Sequence, residues 1–351
     1  MTVRGILPTV AAARAPSVVL IGGGTGSPQL LVALRRKLPA ASLAIVLPVT
    51  DSGRSTGRIR RILGIPGPGD LRHCLAALAG EGSEWGELLE RRITAERHQD
   101  LDGMAVGNLI LGALTQELGN IGLATRRLAE LLNITETVLP ATIEDTQLTA
   151  TLADGTRATG EIEVRRPGKA AIAILHIEGA TAGVWPPTRA ALAGANVAIL
   201  GPGSLWTSIG GVLTVPGVAE AINPSARLIF VCNTTTQPGQ TDGLSFIDHF
   251  EIVSRLAGRA PNAVVVNSAR PDVVQERSLA QQGLHMVLPH PLDTTELTAL
   301  GITVLSGDLL SRDSRPAELW QKAPTAYHDM DRTADTIVEY LATKGDVGPA
   351  T

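Results

Sequence analysis

Two glycine-rich loops, each following an apolar run rich in β-branched residues, are the segments of this chain best suited to chemistry. The first reads G-G-G-T-G-S-P over residues 22–28, and the second reads G-P-G-S-L-W-T-S over residues 201–208. A strand that ends in a loop almost without side chains offers main-chain N–H groups to an anion, usually a phosphate. Two such loops predict a single diphosphate ligand that is held from both sides.

The loops supply most of the predicted ligand contacts. Hydroxyl groups in the second loop would add their hydrogen bonds to those of the main chain. The alternatives are a plain strand-to-helix turn for the first loop and a helix cap rich in serine and threonine for the second. The first loop is not the dinucleotide fingerprint, because Ser27 stands where that motif has its third glycine, so a nicotinamide oxidoreductase is disfavoured. The candidates are Gly22, Gly23, Gly24, Thr25, Gly26, Gly201, Pro202, Gly203, Ser204, Thr207 and Ser208.

Charged residues follow the second predicted strand, residues 43–49. Asp51 lies where an open α/β sheet has its ligand crevice, and its carboxylate could hold Mg²⁺ between phosphates or accept a proton from a hydroxyl. It could instead shape an Asx-turn. Arg58 and Arg72 could pair with phosphate oxygens, although runs of arginine are also typical of a solvated helix face.

Three amide side chains complete the candidate site. Asn108 lies in the first turn of an apolar helix, where a buried amide either contacts a ligand or ties two loops together. Asn233 and Gln237 follow another predicted strand in C-N-T-T-T-Q-P-G-Q-T, where they could recognise a base, a sugar or a carboxylate. His249 next to Asp248 invites a general-base role, but neighbouring residues on a helix point apart, so we expect a structural histidine.

Strands and helices must bring these residues together. Apolar runs at 18–21, 43–49, 196–200, 227–232, 263–267 and 302–305 alternate with amphipathic helical patterns. This rhythm predicts an α/β fold with a Rossmann-like, doubly wound and mostly parallel sheet. Ser27 and Asp70 are predicted to cap the helices that follow them.

A single domain is predicted to hold the whole site. Residues 1–16 are predicted to form a disordered leader, with a processed signal as the alternative. Residues 17–315 form one α/β domain, and residues 316–351 form a C-terminal helix and tail. Within the domain we expect a helical subregion over about 54–132 and a small β-hairpin insertion over about 137–179.

Composition and charge exclude several classes of function. The 351 residues are 44% hydrophobic and 18% charged, which suits a folded globular protein with a large core. The 30 basic and 34 acidic residues give a net charge of −4, so we expect neither nucleic acid nor an anionic membrane as a partner. The apolar stretches are too short to span a bilayer. Cys74 and Cys232 are far apart, which argues against disulfides and zinc and favours the reducing cytoplasm.

Six motifs follow one another between residues 18 and 305: G-G-G-T-G, T-D-S-G-R-S-T-G-R-I-R, P-G-D-L-R-H-C-L-A-A-L, V-G-N-L-I-L, G-P-G-S-L-W-T-S and C-N-T-T-T-Q-P-G-Q-T-D-G. In this order they resemble the bacterial gluconeogenesis factor (YvcK-like) family, which lies within the superfamily of the phospholactate transferase CofD. The resemblance implies a cytoplasmic homodimer that binds a nucleotide sugar, such as UDP-N-acetylglucosamine, and acts in carbon metabolism and cell shape. It also implies ligand contacts at residues 22–26, Asp51, Asn108 and residues 201–208.

The resemblance leaves a CofD-like enzyme as the alternative. Such enzymes use Mg²⁺ to transfer a phosphorylated three-carbon acid from a nucleoside diphosphate conjugate, and Asp51 would then hold the metal. The second loop keeps the G-P-G-S-L-x-T-S form rather than the G-P-S-N-P type of the transferases. Ser52, Arg54, Met104 and Gln240 replace residues typical of the family, and the loss of titratable groups there weakens an acid–base mechanism while leaving binding intact. We therefore expect binding without turnover.

Overall fold

Seven parallel strands form the centre of the molecule. The structure is a computed structural model that describes residues 16–95, 97–179, 181, 183–312 and 326–345. The predicted leader before residue 16 and the tail beyond residue 345 lie outside the described residues. The strands, in chain order, are β1 (Ser17–Ile21), β2 (Ser42–Leu47), β3 (Thr137–Pro140), β4 (Gln147–Leu152), β5 (Arg157–Thr159), β6 (Ile172–Glu178), β7 (Val197–Leu200), β8 (Arg227–Val231), β9 (Ala263–Asn267) and β10 (Thr303–Gly307).

The order of the strands in the main sheet is β10-β9-β8-β7-β1-β2-β3. β1 pairs with β2 on one side and with β7 on the other, so Val18 lies opposite both Leu43 and Val197. The winding direction of the chain therefore reverses at β1, and open α/β sheets bind ligands outside the carboxyl ends of their strands at such a point. The predicted doubly wound parallel sheet is confirmed. Both glycine-rich loops leave adjacent strands at its switch point.

Helices cover both faces of this sheet. Side chains of β1 alternate between two cores, with Val18 and Leu20 on one side and Val19 and Ile21 on the other. A strand that is buried on both faces reads as a continuous apolar run. Among the described residues, no helix combines the length and the apolar character needed to cross a membrane. The helices are α1 (Gly26–Lys37), α2 (Arg54–Leu63), α3 (Gly69–Leu78), α4 (Glu84–Glu90), α5 (Val106–Leu118), α6 (Ile121–Leu131), α7 (Glu161–Arg165), α8 (Pro186–Gly194), a π-helix (Leu205–Gly210), α9 (Gly211–Leu213), α10 (Val218–Ala221), α11 (Phe246–Leu256), α12 (Val273–Gln281), α13 (Pro291–Ala299) and α14 (Met330–Thr343).

Two regions interrupt the alternation of strands and helices. The helical subregion runs from α2 to α6, and the insertion is a separate antiparallel sheet of order β5-β4-β6 with α7 beside it. β3, which the sequence placed in the insertion, is instead the edge strand of the main sheet, because Ala44 pairs with Thr137 and Val138 is buried. Four residues are too few for a pattern to identify a strand's partner. The pattern also missed α13, where only Leu297 is buried.

Shortening a buried side chain of the central strand β1 should destabilise the sheet that carries both loops. Leu20 is fully buried in β1, so Leu20→Ala would remove packed methyl groups and leave a cavity. We expect the free energy of unfolding, measured in urea, to fall by about 2 to 5 kcal/mol. Leu131→Ala is the matched control, because Leu131 is 54% exposed at the end of α6 and its truncation should cost below about 0.5 kcal/mol. Equal losses would contradict the central position of β1.

Candidate functional site

The two glycine-rich loops lie against each other at the carboxyl edge of the sheet. We call residues 22–25, which follow β1, loop A, and residues 201–204, which follow β7, loop B. A Cβ atom on Gly203 would lie 3.2 Å from the carbonyl oxygen of Gly23, and one on Gly26 would lie 2.9 Å from a main-chain oxygen of loop B. The loops are thus in main-chain contact, and side chains at these glycines would force them apart.

Two side chains bind the main chain of loop B, one from the helix after loop A and one from the segment after β8. The hydroxyl of Ser27 donates to the carbonyl oxygen of Pro202 over 2.8 Å, and Nδ2 of Asn233 donates to that of Gly203 over 2.9 Å. The prediction that Ser27 caps α1 is wrong, because the N-cap residue is Thr25 and its side chain makes no capping hydrogen bond. The Ser27 side chain binds loop B instead of capping the N-terminus of α1.

The main-chain N–H groups of the loops fall into two sets. Some are used within the fold, since Gly22 donates to Val46, Gly24 to the Asp70 carboxylate and Gly201 to Ile21. The described residues provide no acceptor for four others, those of Gly23, Thr25, Gly203 and Ser204. Unpaired N–H groups fixed at a loop are the donors that bind an anion. The contact between the loops therefore brings four such donors to one edge.

Four helices begin around this edge without a side-chain cap. Their N-cap residues are Thr25 for α1, Gly53 for α2, Pro68 for α3 and Ser204 for the π-helix. Elsewhere some helices have a side-chain cap, such as α6 with Asn120, α11 with Ser245 and α14 with Asp329, whereas others, such as α5 and α8, have none. An uncapped N-terminus presents free N–H groups and a positive partial charge. The electrostatics of the edge thus favour a negatively charged ligand.

The hydroxyls that follow loop B divide between loop A and a neighbouring turn. Oγ of Ser208 lies 3.9 Å from where a Cβ on Gly24 would stand. The hydroxyl of Thr207 instead donates to Oε1 of Gln240 over 3.4 Å, and Oε1 of Gln237 accepts from Nε2 of Gln240 over 3.3 Å. Ser208 therefore lies with the loops, whereas Thr207 and Gln237 brace the adjoining turn.

Arg72 and Asn108 form an internal polar network. Arg72 is fully buried, its Nη1 donates to Oδ1 of Asn108 over 3.3 Å, and its Nη2 lies 3.4 Å from the Glu90 carboxylate. Nδ2 of Asn108 donates to the hydroxyl of Ser55 over 2.9 Å. These bonds join α2, α3 and α5, so Asn108 ties segments together, which is one of the two roles that the sequence left open.

Two other candidates lie away from the loops. The guanidinium of Arg58 donates to the carbonyl oxygens of Gln99 and Asp102, on the segment between α4 and α5. His249 is buried, and its Nδ1 donates to the carbonyl oxygen of Ser245 over 2.7 Å within its own helix. Burial lowers the pKa of His249, so the ring is neutral and structural, as the sequence predicts.

Asp51 stands at the carboxyl end of β2, beside the start of α3. Its Oδ1 accepts from the main-chain N–H of Gly53 over 2.8 Å, which is the geometry of the Asx-turn that the sequence analysis left open as its alternative role. Burial raises the pKa of the Asp51 carboxyl, but hydrogen bonds from Gly53, Thr56 and Glu161 outweigh burial and bring the pKa below its usual value. Asp51 is therefore a carboxylate at neutral pH.

Glu161 is the partner of Asp51 and was not predicted. It begins α7 in the insertion, and its Oε2 accepts from the main-chain N–H of Ser52 over 3.1 Å. Burial, followed by the charge of Asp51, raises the pKa of Glu161 to about 8. At neutral pH Glu161 thus keeps a proton and donates it to Asp51. The sequence carries no signal for this contact, because it depends on how the insertion packs against the main sheet.

Asp70 places a second carboxylate beside loop A. It was predicted to cap α3, but the N-cap is Pro68, and the carboxylate accepts from the N–H of Gly24 over 2.8 Å. A Cβ on Gly69 would lie 2.0 Å from Oδ2 of Asp51, so α3 begins in direct contact with that carboxylate. Asp51 and Asp70 therefore flank one helix N-terminus. The described residues contain no group of three or more Asp, Glu, His or Cys side chains arranged to hold a metal ion.

Comparison with known proteins points to one family. The chain matches the family described as 2-phospho-L-lactate transferase CofD over residues 18–310. It is 32% identical over 329 residues to the gluconeogenesis factor of Bacillus subtilis, and the match covers 93% of this chain and 98% of that protein. It is also 37% identical over 303 residues to a Nostoc relative, with 86% of this chain and 65% of that protein covered. The chain therefore spans just under two thirds of the Nostoc relative and nearly all of the Bacillus one.

The fold is similar to that of a Bacillus halodurans protein solved by X-ray crystallography. The TM-score is 0.82 at 29% sequence identity, and the match covers 92% of this chain and 99% of the other. A second crystal structure of that protein gives the same values. The α/β architecture is thus shared over nearly the whole length of both chains.

The shared proton of Asp51 and Glu161 predicts pH-dependent stability. Folding raises the pKa of Glu161 from 4.5 to about 8, so the folded chain binds a proton that the unfolded chain releases, and stability falls as the pH rises through this range. Glu161→Gln keeps a neutral donor and removes the titration. We expect its stability relative to the wild type, measured by urea unfolding, to rise by at least about 1.4 kcal/mol between about pH 5 and about pH 8.

Glu163→Gln provides the baseline for this comparison, because Glu163 lies on the same short helix with its side chain 48% exposed. The difference between the two variants isolates the contact with Asp51 from general effects of removing a charge. A stability difference for Glu161→Gln that does not change with pH would contradict the shared proton.

Proposed function

The chain belongs to the gluconeogenesis factor family within the CofD superfamily, and on that premise we propose that it is a nucleotide-sugar-binding protein whose loops A and B hold the diphosphate of the ligand. The observation that carries the proposal is the set of four loop N–H groups for which the described chain has no acceptor. A diphosphate needs several fixed donors at close range. UDP-N-acetylglucosamine is the ligand to test, and regulation of carbon metabolism and cell shape is the role that we propose for the complex.

The layout of the edge suits a ligand with two halves. The strands β8, β7, β1 and β2 are neighbours in that order, and neighbouring strands lie about 4.8 Å apart, so the loops that follow them span about 14 Å. Loops A and B occupy the middle of this span. Asn233 follows β8 at one end, and Asp51 follows β2 at the other. A diphosphate in the middle would extend its two substituents towards these ends.

The charges around the loops further define the position of the diphosphate. The carboxylates of Asp51 and Asp70 repel a phosphate on the α3 side, although the buried guanidinium of Arg72 interacts electrostatically with both and offsets part of their charge. Loop B has no carboxylate bonded to its main chain among the described residues. The more strongly charged part of the ligand therefore belongs near Gly203 and Ser204.

A carboxylate placed on loop B should prevent this binding. In Gly203→Asp the new side chain would stand against Gly23 and carry a negative charge into the proposed diphosphate site. We expect the affinity for UDP-N-acetylglucosamine, measured by isothermal titration calorimetry, to fall by at least about tenfold, which corresponds to about 1.4 kcal/mol.

Gly194→Asp is the matched control, because a Cβ on Gly194 would meet nothing within 4 Å at the end of α8. Thermal unfolding of both variants checks that the fold is retained. Equal affinity of Gly203→Asp and the wild type would remove loop B from the site. A wild-type chain that binds no nucleotide sugar would overturn the proposal itself.

The contact between Asp51 and Glu161 favours a second candidate function, a CofD-like transferase. Glu161 keeps its proton and Asp51 beside it is ionised. Such a pair suits acid–base chemistry. Mg²⁺ is usually held by one or two carboxylates together with phosphate oxygens, and Asp51 and Asp70 carry such oxygens beside loop A. These residues fit the metal, which would supply the positive charge that phosphates need beside two carboxylates.

Loss of the Asp51 charge separates the two candidate functions. With Mg²⁺, a transferase should pass the phosphorylated acid of a nucleoside diphosphate conjugate to the hydroxyl of an added acceptor and release the nucleoside monophosphate, and Asp51→Asn should reduce that rate by at least about a hundredfold. Asp331→Asn is the control, because the Asp331 side chain is 59% exposed and pairs with Arg36. Chromatography of the nucleotide products measures the rate. Binding of UDP-N-acetylglucosamine without metal and without turnover would favour the regulatory protein.

A further inference from the structure

The Asn233 amide uses only one of its two polar atoms within the fold. Nδ2 donates to the carbonyl oxygen of Gly203 over 2.9 Å, whereas Oδ1 is buried and accepts no hydrogen bond from the described residues. A buried acceptor without a partner is costly, so this oxygen needs a donor that the described part of the chain does not supply.

The orientation of this amide is fixed by its surroundings. The register pairs Leu200 of β7 with Phe230 of β8, so Gly203 and Asn233 leave the sheet side by side, each three residues further on. Because a carbonyl oxygen can only accept, the atom that faces Gly203 must be the amide nitrogen. A flip of the amide would place two acceptors together. Oδ1 is therefore held as an acceptor beside loop B.

We propose that Oδ1 of Asn233 accepts a hydrogen bond from a neutral donor on the nucleoside of the ligand, either a ribose hydroxyl or a base N–H. This inference rests on the proposed nucleotide-sugar function. The loops offer N–H donors, which match phosphate oxygens, whereas Oδ1 offers the opposite polarity and would repel a phosphate or a carboxylate. Asn233 thus marks where the diphosphate ends and the nucleoside begins, and it rejects ligands with an anionic group at that point.

Discrimination at such a position is asymmetric. A ligand that lacks the donor leaves Oδ1 buried and unpaired, which costs more than a missing favourable contact at an open surface. A ligand made of the diphosphate alone does not reach Oδ1, so its affinity depends on Asn233 only through the Nδ2 bond to Gly203. The change in affinity for UDP beyond the change in affinity for inorganic pyrophosphate therefore reports the contribution of Oδ1.

The test compares these two probes in the wild type and in Asn233→Leu by isothermal titration calorimetry. We expect the loss of affinity for UDP in the variant to exceed its loss of affinity for pyrophosphate by about tenfold, because the Nδ2 bond to Gly203 affects both probes whereas Oδ1 affects UDP alone. Asn196→Leu is the matched control, because Asn196 is exposed at the opposite edge, where its Oδ1 accepts from Ser17. It should change neither affinity.

A second measurement leaves the protein unchanged and removes the donor from the ligand. Of 2′-deoxy-UDP, 3′-deoxy-UDP and 3-methyl-UDP, at least one should bind the wild type about tenfold more weakly than UDP, and that loss should vanish in Asn233→Leu. Three unchanged affinities would overturn the inference. So would equal losses for UDP and pyrophosphate in Asn233→Leu, because Asn233 would then act only by positioning Gly203. A wild type that binds neither probe would overturn the proposed function instead.

Discussion

The contact between the main chains of loops A and B is the constraint on which the candidate site depends. Gly203 and Gly23 take part in this contact, and a methyl group on Gly203 would lie 3.2 Å from the carbonyl oxygen of Gly23. The hydrogen bond from Ser27 to Pro202 locks the same contact from the helix side. Because β1 and β7 are buried on both faces, the spacing of these strands, and not flexible side chains, sets the distance between the loops.

Donors and carboxyl groups meet along this edge, and their arrangement decides what can bind. Free N–H groups and uncapped helices attract an anion, while Asp51 and Asp70 exclude it from one side. The proton on Glu161 keeps a third carboxyl neutral in the same neighbourhood. The site is therefore asymmetric: loop B accepts negative charge more readily than the α3 side does. An asymmetric site gives a bipartite ligand a single orientation.

The sequence predicted the parts of the fold that repeat and missed the parts that rely on distant contacts. Apolar runs identified β1, β2 and β7, because strands buried on both faces leave an unbroken pattern. Ser27 and Asp70 were assigned as helix caps from local preference, yet Ser27 bonds to loop B and Asp70 bonds to loop A, each distant in sequence from its partner. Glu161 could not be predicted, since its partner lies across an interface between the insertion and β2. The residue types of the site could be read from local sequence, whereas their hydrogen-bond partners depend on tertiary packing.

The position of β1 between β2 and β7 also shapes how the chain reaches its native state. β1 is synthesised well before β7, so Val18 must wait for Val197 before that side of the strand is paired. The helical subregion, β3 and the insertion are all synthesised in the interval. Contacts between segments so far apart form slowly, and an apolar strand edge left open meanwhile is prone to aggregation. The contact between loops A and B is consequently expected to form late in folding.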